Sequence, residues 1–347
     1  MEEVTAQVGA TRLTERHPPQ AVARMSLPRS QERPPHGTVV QVGPLMPFVE
    51  QFLIEAYDTV RLPDDITKID AETRERARII VTNGSSGVPT DLMDALPRLE
   101  LVANFGVGYD TTDTVTARAR GIRVTNTPDV LTDCVADTAL GLLLMTFRRL
   151  SAAERFVRRG GWSTAPFPVA RRFSGSTIGI LGLGRIGTAI AERVAGFGCA
   201  VLYHSRHEVP SSPWRLVASL AELATRSDAL VVAVPGGSST ENLVDRTVLD
   251  ALGPDGILIN IARGTVVDQD ALIDALDEGT LGGAGLDVLA EEPQVPSDLL
   301  RDNVVVLPHL GSGTIETRHD MAALTLANVA AYLDGKPLPT PVPESLP

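Results

Sequence analysis

Short apolar runs recur along this chain from residue 38 onward, and most are followed by a stretch with helical spacing. Thr38–Val42, Ile79–Thr82, Leu99–Asn104 and Gly121–Val124 read as buried strands. Between them, Met46–Tyr57 puts Phe48, Phe52 and Leu53 on one side of a helix, and Thr90 stands where it would cap a short helix over Asp91–Leu96. Strands alternating with helices imply a parallel sheet with helices on its faces. A second series is more regular. Its strands fall at Thr177–Leu181, Ala200–His204, Ala229–Val234, Gly256–Ile261, Ala284–Val288 and Val304–Leu307, with helices over Leu216–Thr225 and Asp268–Glu278. Between the two series, Val130, Val135, Ala136, Ala139, Leu140, Leu143 and Leu144 recur at helical spacing, which predicts one long buried helix over Asp129–Leu150. Thr314–Leu333 predicts a last helix, placed to cross back to the first series.

The first 36 residues break this pattern. Pro18-Pro19, Pro28 and Pro34-Pro35 interrupt a segment without sustained period, so residues 1–36 are expected to be a poorly ordered extension. It lacks the apolar stretch of a signal peptide. Arg12, Arg16 and Arg24 suit a transit peptide, Glu2, Glu3 and Glu15 speak against one, and translation starting near Met25 accounts for the segment equally well. The tail after Gly335 is proline-rich and is expected at the surface.

Composition narrows the class of protein. At 347 residues and 43% hydrophobic, the chain can bury the cores of two domains. A formal charge of −12 disfavours nucleic-acid and anionic membrane surfaces as partners. Cys134 and Cys199 have no C-x-x-C spacing, so neither a disulfide framework nor a metal site is expected, and a reducing cytoplasm fits best. No apolar run reaches the length of a membrane span.

The chemistry begins at Gly182-Leu183-Gly184-Arg185-Ile186-Gly187, directly after one strand and directly before a helix. Gly182 permits the tight turn, Gly184 lets backbone approach a pyrophosphate, and Gly187 lets helix and strand pack closely. The helix N-terminus then offers its unpaired N–H groups to the phosphates. Alone such a motif is weak; with both flanking elements present it points to a dinucleotide. The next strand ends Tyr203-His204-Ser205-Arg206, without the carboxylate that would hold the ribose diol of NAD. Ser205 and Arg206 suit a 2′-phosphate instead, so NADP(H) is the expected cofactor, with NAD(H) the alternative if a register shift brings Glu208 to the ribose.

Arg263, Glu292 and His309 each follow a strand of the second series. Strand ends of this kind line the ligand crevice of an open α/β sheet. Singly, Arg263 could tie a loop to the sheet, Glu292 could be half of a solvated Glu-Glu pair, and His309 could cap a turn. Together they suit reduction of an α-keto acid. The arginine binds the carboxylate and polarises the carbonyl, the histidine donates a proton, and the glutamate holds the imidazole.

In Gly182–Gly187, Asn260–Gly264, Asp287–Pro293 and Pro308-His309 the chain resembles the D-isomer-specific 2-hydroxyacid dehydrogenases. The stretch Gly121–Thr132, together with Ser205-Arg206, resembles their hydroxypyruvate/glyoxylate reductase branch, which tends to use NADPH. The resemblance covers roughly residues 38–335. It implies two Rossmann-like domains: a doubly wound parallel-sheet dinucleotide domain, residues 134–308, inserted in a flavodoxin-like substrate-binding domain, residues 37–133 and 309–341. It implies closure about hinges near Cys134 and Pro308, with Arg263, Glu292 and His309 as the catalytic trio. Val107 and Gly108 would bind the substrate carboxylate and Asp287 the nicotinamide carboxamide, while Arg185, Ile186, Pro235, Ala262 and Gly311 would line the cofactor cleft. It further implies a homodimer built largely from the dinucleotide domain, its long helix and the following loop, where Trp162 and Phe167 either reach a partner's cleft or pack in the interface. Relatives often carry an acidic residue at Cys134, here read as a packing position. The loop Asn83–Gly87 does not fix substrate size, so glyoxylate and hydroxypyruvate stand beside bulkier acids such as phenylpyruvate. Two alternatives are an NAD-dependent dehydrogenase of another branch and a nucleotide-sensing scaffold or corepressor on the same fold.

Overall fold

The computed structural model describes residues 34–346, so the extension expected at the N-terminus lies, except for its end, outside the described residues. The chain divides into two compact units, residues up to 128 with 314 onward, and residues 129–313. The crossings expected from the sequence stood at 133–134 and 308–309. The second unit takes in both flanking segments because the helix beginning at Thr132 is continuous and because residues 309–311 are bonded to Asp287.

The first unit runs β1 (Val39–Gln41), α1 (Pro47–Tyr57), β2 (Val60–Arg61), α2 (Ala71–Arg76), β3 (Ile79–Asn83), α3 (Thr90–Ala95), β4 (Leu101–Phe105), α4 (Thr114–Ala119) and β5 (Arg123–Thr125). All strand pairs are parallel, in the order β2-β1-β3-β4-β5, which is the flavodoxin-like order. Val40, Ile80, Val102 and Val124 from four of the strands share one buried cluster with Leu92, Met93 and Leu96. Thr90 is the first residue of α3 rather than its cap. Its hydroxyl is drawn to Asp113, whose carboxylate caps α4.

The second unit opens with α5 (Thr132–Phe147) and α6 (Leu150–Arg158), where the sequence pattern predicted one helix. Arg149 between them is left-handed at φ 52°. The apolar spacing continues across that residue, so periodicity cannot see the break. Then follow β6 (Thr177–Leu181), α7 (Arg185–Ala195), β7 (Ala200–His204), β8 (Arg215–Leu216), α8 (Leu220–Thr225), β9 (Ala229–Val232), α9 (Arg246–Leu252), β10 (Ile257–Asn260), α10 (Gln269–Asp277), β11 (Gly283–Leu286) and β12 (Val304–Val306). Leu216, expected to open a helix, is in β8; α8 starts four residues later, where Ser219 accepts from the Glu222 N–H as its cap. The seven strands are parallel in the order β12-β11-β10-β9-β6-β7-β8, the doubly wound order with its switch point between β6 and β9. Leu230, Val232, Leu258, Ala284 and Leu286 bury one face of this sheet under α8, α9 and α10. Each such side chain contributes roughly 1.5–3 kcal/mol relative to exposure. Because all strands point one way, the residues that follow β6, β7, β10, β11 and β12 gather at one edge.

The chain then returns to the first unit as α11 (Ile315–Leu333), which packs on β4. Its Tyr332 ring lies under the guanidinium groups of Arg78 and Arg123, at 5.9 and 4.8 Å. The tail closes on β5, where the Val342 N–H bonds to the Val124 carbonyl.

Candidate active site

The glycine turn is built as the motif requires. Gly182 has φ 94°, and a Cβ there would lie 2.8 Å from the Ala233 carbonyl. A Cβ on Gly187 would meet the Gly182 carbonyl oxygen at 2.0 Å, so α7 starts as close to β6 as backbone allows. Gly184 is different: nothing lies within 4 Å of the added atom. Two glycines are demanded by the fold, whereas the space over Gly184 is left to something else. That open cradle, at the start of an eleven-residue helix, fits a dinucleotide pyrophosphate.

Arg185 heads α7, and its Nε donates to Asp129 at 2.7 Å. Beyond β7, Ser205 is half-buried while Arg206, His207 and Glu208 are exposed. The Ser205 hydroxyl donates to the His207 carbonyl, which folds this segment into a tight turn. His204 Nδ1 stands 2.9 Å from the Val217 carbonyl. A carbonyl only accepts, so that nitrogen carries the proton.

Arg263, Glu292 and His309 follow β10, β11 and β12, three neighbours in the sheet. Asn260, buried at the end of β10, holds the arginine's turn. Its Oδ1 accepts from the Ala262 N–H at 3.0 Å, and its Nδ2 donates to the Arg263 carbonyl at 2.9 Å. Gly264 follows because nothing larger fits: a Cβ would lie 1.9 Å from the backbone of Leu289. The arginine's turn is therefore pressed against the loop that carries Glu292. One Glu292 oxygen accepts from the Leu289 N–H at 3.1 Å, and the other is 2.7 Å from His309 Nδ1. Burial pushes the Glu292 pKa up. The hydrogen bond and charge of His309, the Leu289 N–H and the charge of Arg263 outweigh it and hold the carboxyl below its usual range.

His309 has a left-handed backbone, φ 49°. Asp287 maintains it. This buried residue accepts the His309 N–H on its own carbonyl, the Leu310 N–H on Oδ1 and the Gly311 N–H on Oδ2, at 2.8–2.9 Å. The family resemblance implied a nicotinamide contact for Asp287; what the structure shows is its carboxylate shaping the histidine loop. Pro235 is exposed, Ile186 is half-buried, and Ala262 and Gly311 are buried.

In the first unit, Val107 and Gly108 belong to a loop after β4 whose carbonyls are fixed by two asparagines. Asn104 donates to the Gly106 and Gly108 carbonyls, and Asn126 to that of Val107. These asparagines, Asn260 and Asp129 escaped the sequence reading. Asparagine at the end of an apolar run was the available signal for Asn104 and Asn260.

A cavity of about 310 Å³ in the second unit, lined by Glu241, Thr265, Asp268, Asp270 and Glu291 among others, holds none of the trio. Its acidic lining suits neither a pyrophosphate nor a keto acid. Among the described residues, no group of three or more His, Cys, Asp and Glu could hold a metal ion, and no helix is long and apolar enough to cross a membrane.

A dinucleotide cradle and an Arg/Glu–His set on one edge of a doubly wound sheet define a nicotinamide-dependent oxidoreductase. The model of the NAD-binding domain of D-isomer specific 2-hydroxyacid dehydrogenases matches residues 140–311. Hydroxyphenylpyruvate reductase of Plectranthus scutellarioides is 47% identical over 310 residues, 88% of this chain and 98% of that protein. A glyoxylate/hydroxypyruvate reductase of Arabidopsis thaliana is 46% identical over 88% of this chain and 98% of its own length. Among solved structures, the NADPH-dependent glyoxylate/hydroxypyruvate reductase of Sinorhizobium meliloti, in complex with NADP and malonate, superposes with a TM-score of 0.84 at 46% identity, covering 88% of this chain and 97% of that one. The chain belongs to the D-isomer specific 2-hydroxyacid dehydrogenase family and is an NAD(P)-dependent enzyme.

Proposed function

We propose that this enzyme reduces small 2-keto acids to D-2-hydroxy acids with NADPH, glyoxylate and hydroxypyruvate first among them and phenylpyruvate as the bulkier acid to test. The observation that carries this reading is the 2.7 Å contact of Glu292 with His309 beside the arginine's turn, after three adjacent strands. The names of the relatives from Arabidopsis thaliana and Sinorhizobium meliloti support the substrate class, and that of the latter supports NADPH.

The residues divide the work as follows. Gly182, Gly184, Arg185, Ile186 and Gly187 hold the pyrophosphate, Arg206 beside Ser205 holds the 2′-phosphate, and Pro235, Ala262 and Gly311 line the remainder. When bound, the reduced cofactor supplies a hydride to the substrate's carbonyl carbon. Arg263 binds the substrate carboxylate, assisted by the N–H groups of Val107 and Gly108, and draws electron density toward the carbonyl oxygen. His309 Nδ1 is engaged by Glu292, so Nε2 is the nitrogen that delivers a proton to the developing alkoxide. Asp287 meets the carboxamide while its oxygens hold the loop of His309. The protein acts as a homodimer in the cytoplasm. The exposure of Trp162 (73%) and Val169 (98%) in the segment after α6 supports a partner surface there.

The test is loss of reduced-nicotinamide absorbance with NADPH and NADH in parallel, on glyoxylate, hydroxypyruvate, pyruvate and phenylpyruvate. Turnover with NADPH on one or more acids is expected. A clear preference for NADH would overturn the role of Arg206, and no turnover on any of the four acids would overturn the proposed substrates.

A further inference from the structure

Helix α5 and the segment leading into it carry a stripe of aspartates, Asp129, Asp133 and Asp137, spaced by four, with Asp129 three residues before the helix. The dinucleotide helix α7 answers with arginines. Arg193 takes Asp133 at 2.9 Å and Asp137 at 2.7 Å, and Arg185 takes Asp129 at 2.7 Å. The two ends of this zipper differ. Arg193 is 23% exposed and also donates to the Ala189 carbonyl, so it is a fixed packing element. Arg185 and Asp129 are 69% and 67% exposed, and Arg185 sits beside the open cradle of Gly184. Asp129 is held with φ 69°, a backbone that aspartate tolerates better than most residues, and its carbonyl accepts the Thr132 N–H at the start of α5.

We infer that Asp129 competes with the cofactor pyrophosphate for Arg185, and that this competition sets how readily the dinucleotide leaves. The inference rests on the dinucleotide reading of the glycine turn and deepens it. An exposed pair of this kind is worth only about 0–1 kcal/mol. A pyrophosphate brings two anionic groups, to which a guanidinium fork bonds more strongly. Binding therefore draws Arg185 away from Asp129. The carboxylate is then left beside the phosphates without its partner, and like charges at that distance weaken the complex. When the cofactor departs, Asp129 recaptures the arginine. Asp129 touches neither substrate nor reacting atoms; it is a positioning residue for Arg185. Because the pyrophosphate is common to both cofactors, the effect has to be equal for NADPH and NADH, unlike that of any residue at the 2′-phosphate.

The experiment compares the full-length apo-enzyme with Asp129→Asn, Arg185→Gln and the double variant. NADPH and NADH dissociation constants come from fluorescence titration, and dissociation rates from stopped-flow displacement. Asparagine tolerates the same left-handed backbone, and Asp129→Gly serves as a second variant if Asp129→Asn folds poorly. Asp129→Asn is expected to tighten both cofactors by about two- to fivefold, chiefly through slower dissociation, with the gain shrinking as salt is raised. Arg185→Gln is expected to weaken both, and to reduce the gain from Asp129→Asn. Unchanged or weaker binding in Asp129→Asn, or an undiminished gain in the Arg185→Gln background, would overturn the inference. If the parent enzyme binds neither cofactor, the dinucleotide reading itself fails, a result distinct from either.

Discussion

Glu292 grips His309 Nδ1 at 2.7 Å with one carboxylate oxygen while the Leu289 N–H holds the other. The imidazole is thus anchored through a carboxylate that is itself anchored to backbone. His309→Gln keeps a polar side chain but cannot donate a proton of comparable acidity. Turnover is expected to fall about 10²- to 10⁴-fold, with NADPH affinity by fluorescence titration unchanged. Near-parental turnover would remove His309 from the chemistry.

The role proposed for Arg263, in binding and in polarisation, predicts that its loss appears in kcat as well as KM. Arg263→Ala is expected to lower kcat/KM for glyoxylate by about 10²- to 10³-fold. Parental kinetics in that variant would mean that another cation anchors the carboxylate.

Arg206 is expected to act on one cofactor only. Its hydrogen bonds to a phosphate are charge-assisted, worth about 1.5–3 kcal/mol, so Arg206→Ala should weaken NADPH about 10- to 100-fold and leave NADH within about twofold. Equal losses for both cofactors would place Arg206 elsewhere.

Glu292 has its folded-state pKa depressed, so its ionised form stabilises the folded protein. That contribution is fully present above the unfolded value of about 4.3 and is lost as pH falls through the lower folded-state value. Melting temperatures of the parent and Glu292→Gln should therefore differ at neutral pH and converge on acidification below that range. A difference that widened on acidification would reverse the assignment.

Gly264 has no room for a side chain against Leu289. Gly264→Ala has to push the arginine's turn away from the loop of Glu292, an overpacking cost of about 1–3 kcal/mol. Melting should fall by about 2–10 °C, with activity lost well before the fold. A fully active Gly264→Ala enzyme would mean that the two loops need not touch.

The apolar runs, their parallel arrangement and the glycine turn were legible because each is a local pattern. That Arg263, Glu292 and His309 would lie near one another was legible because they follow successive strands, which a doubly wound sheet brings to one edge. What stayed hidden depended on single residues or on distant partners. Arg149 ends a helix through one left-handed backbone while the apolar spacing runs on. Thr90 looked like a cap, yet its hydroxyl goes to Asp113, 23 positions away. The Ser205 hydroxyl donates to the His207 carbonyl two residues on, a turn that no apolar pattern marks. The aspartates facing α7 recur every fourth residue, a visible pattern that acquires meaning only when α7 is packed against them.

The bracket formed by Asp287 has a consequence for heat. Three successive backbone N–H groups, at His309, Leu310 and Gly311, depend on one residue that directly follows β11, a strand paired on both sides, and is 2% exposed. His309 is therefore fastened to the interior of the sheet rather than to a loop that frays at the surface. On warming, the geometry of His309 should persist until the second unit melts, so that inactivation and unfolding coincide in a single transition.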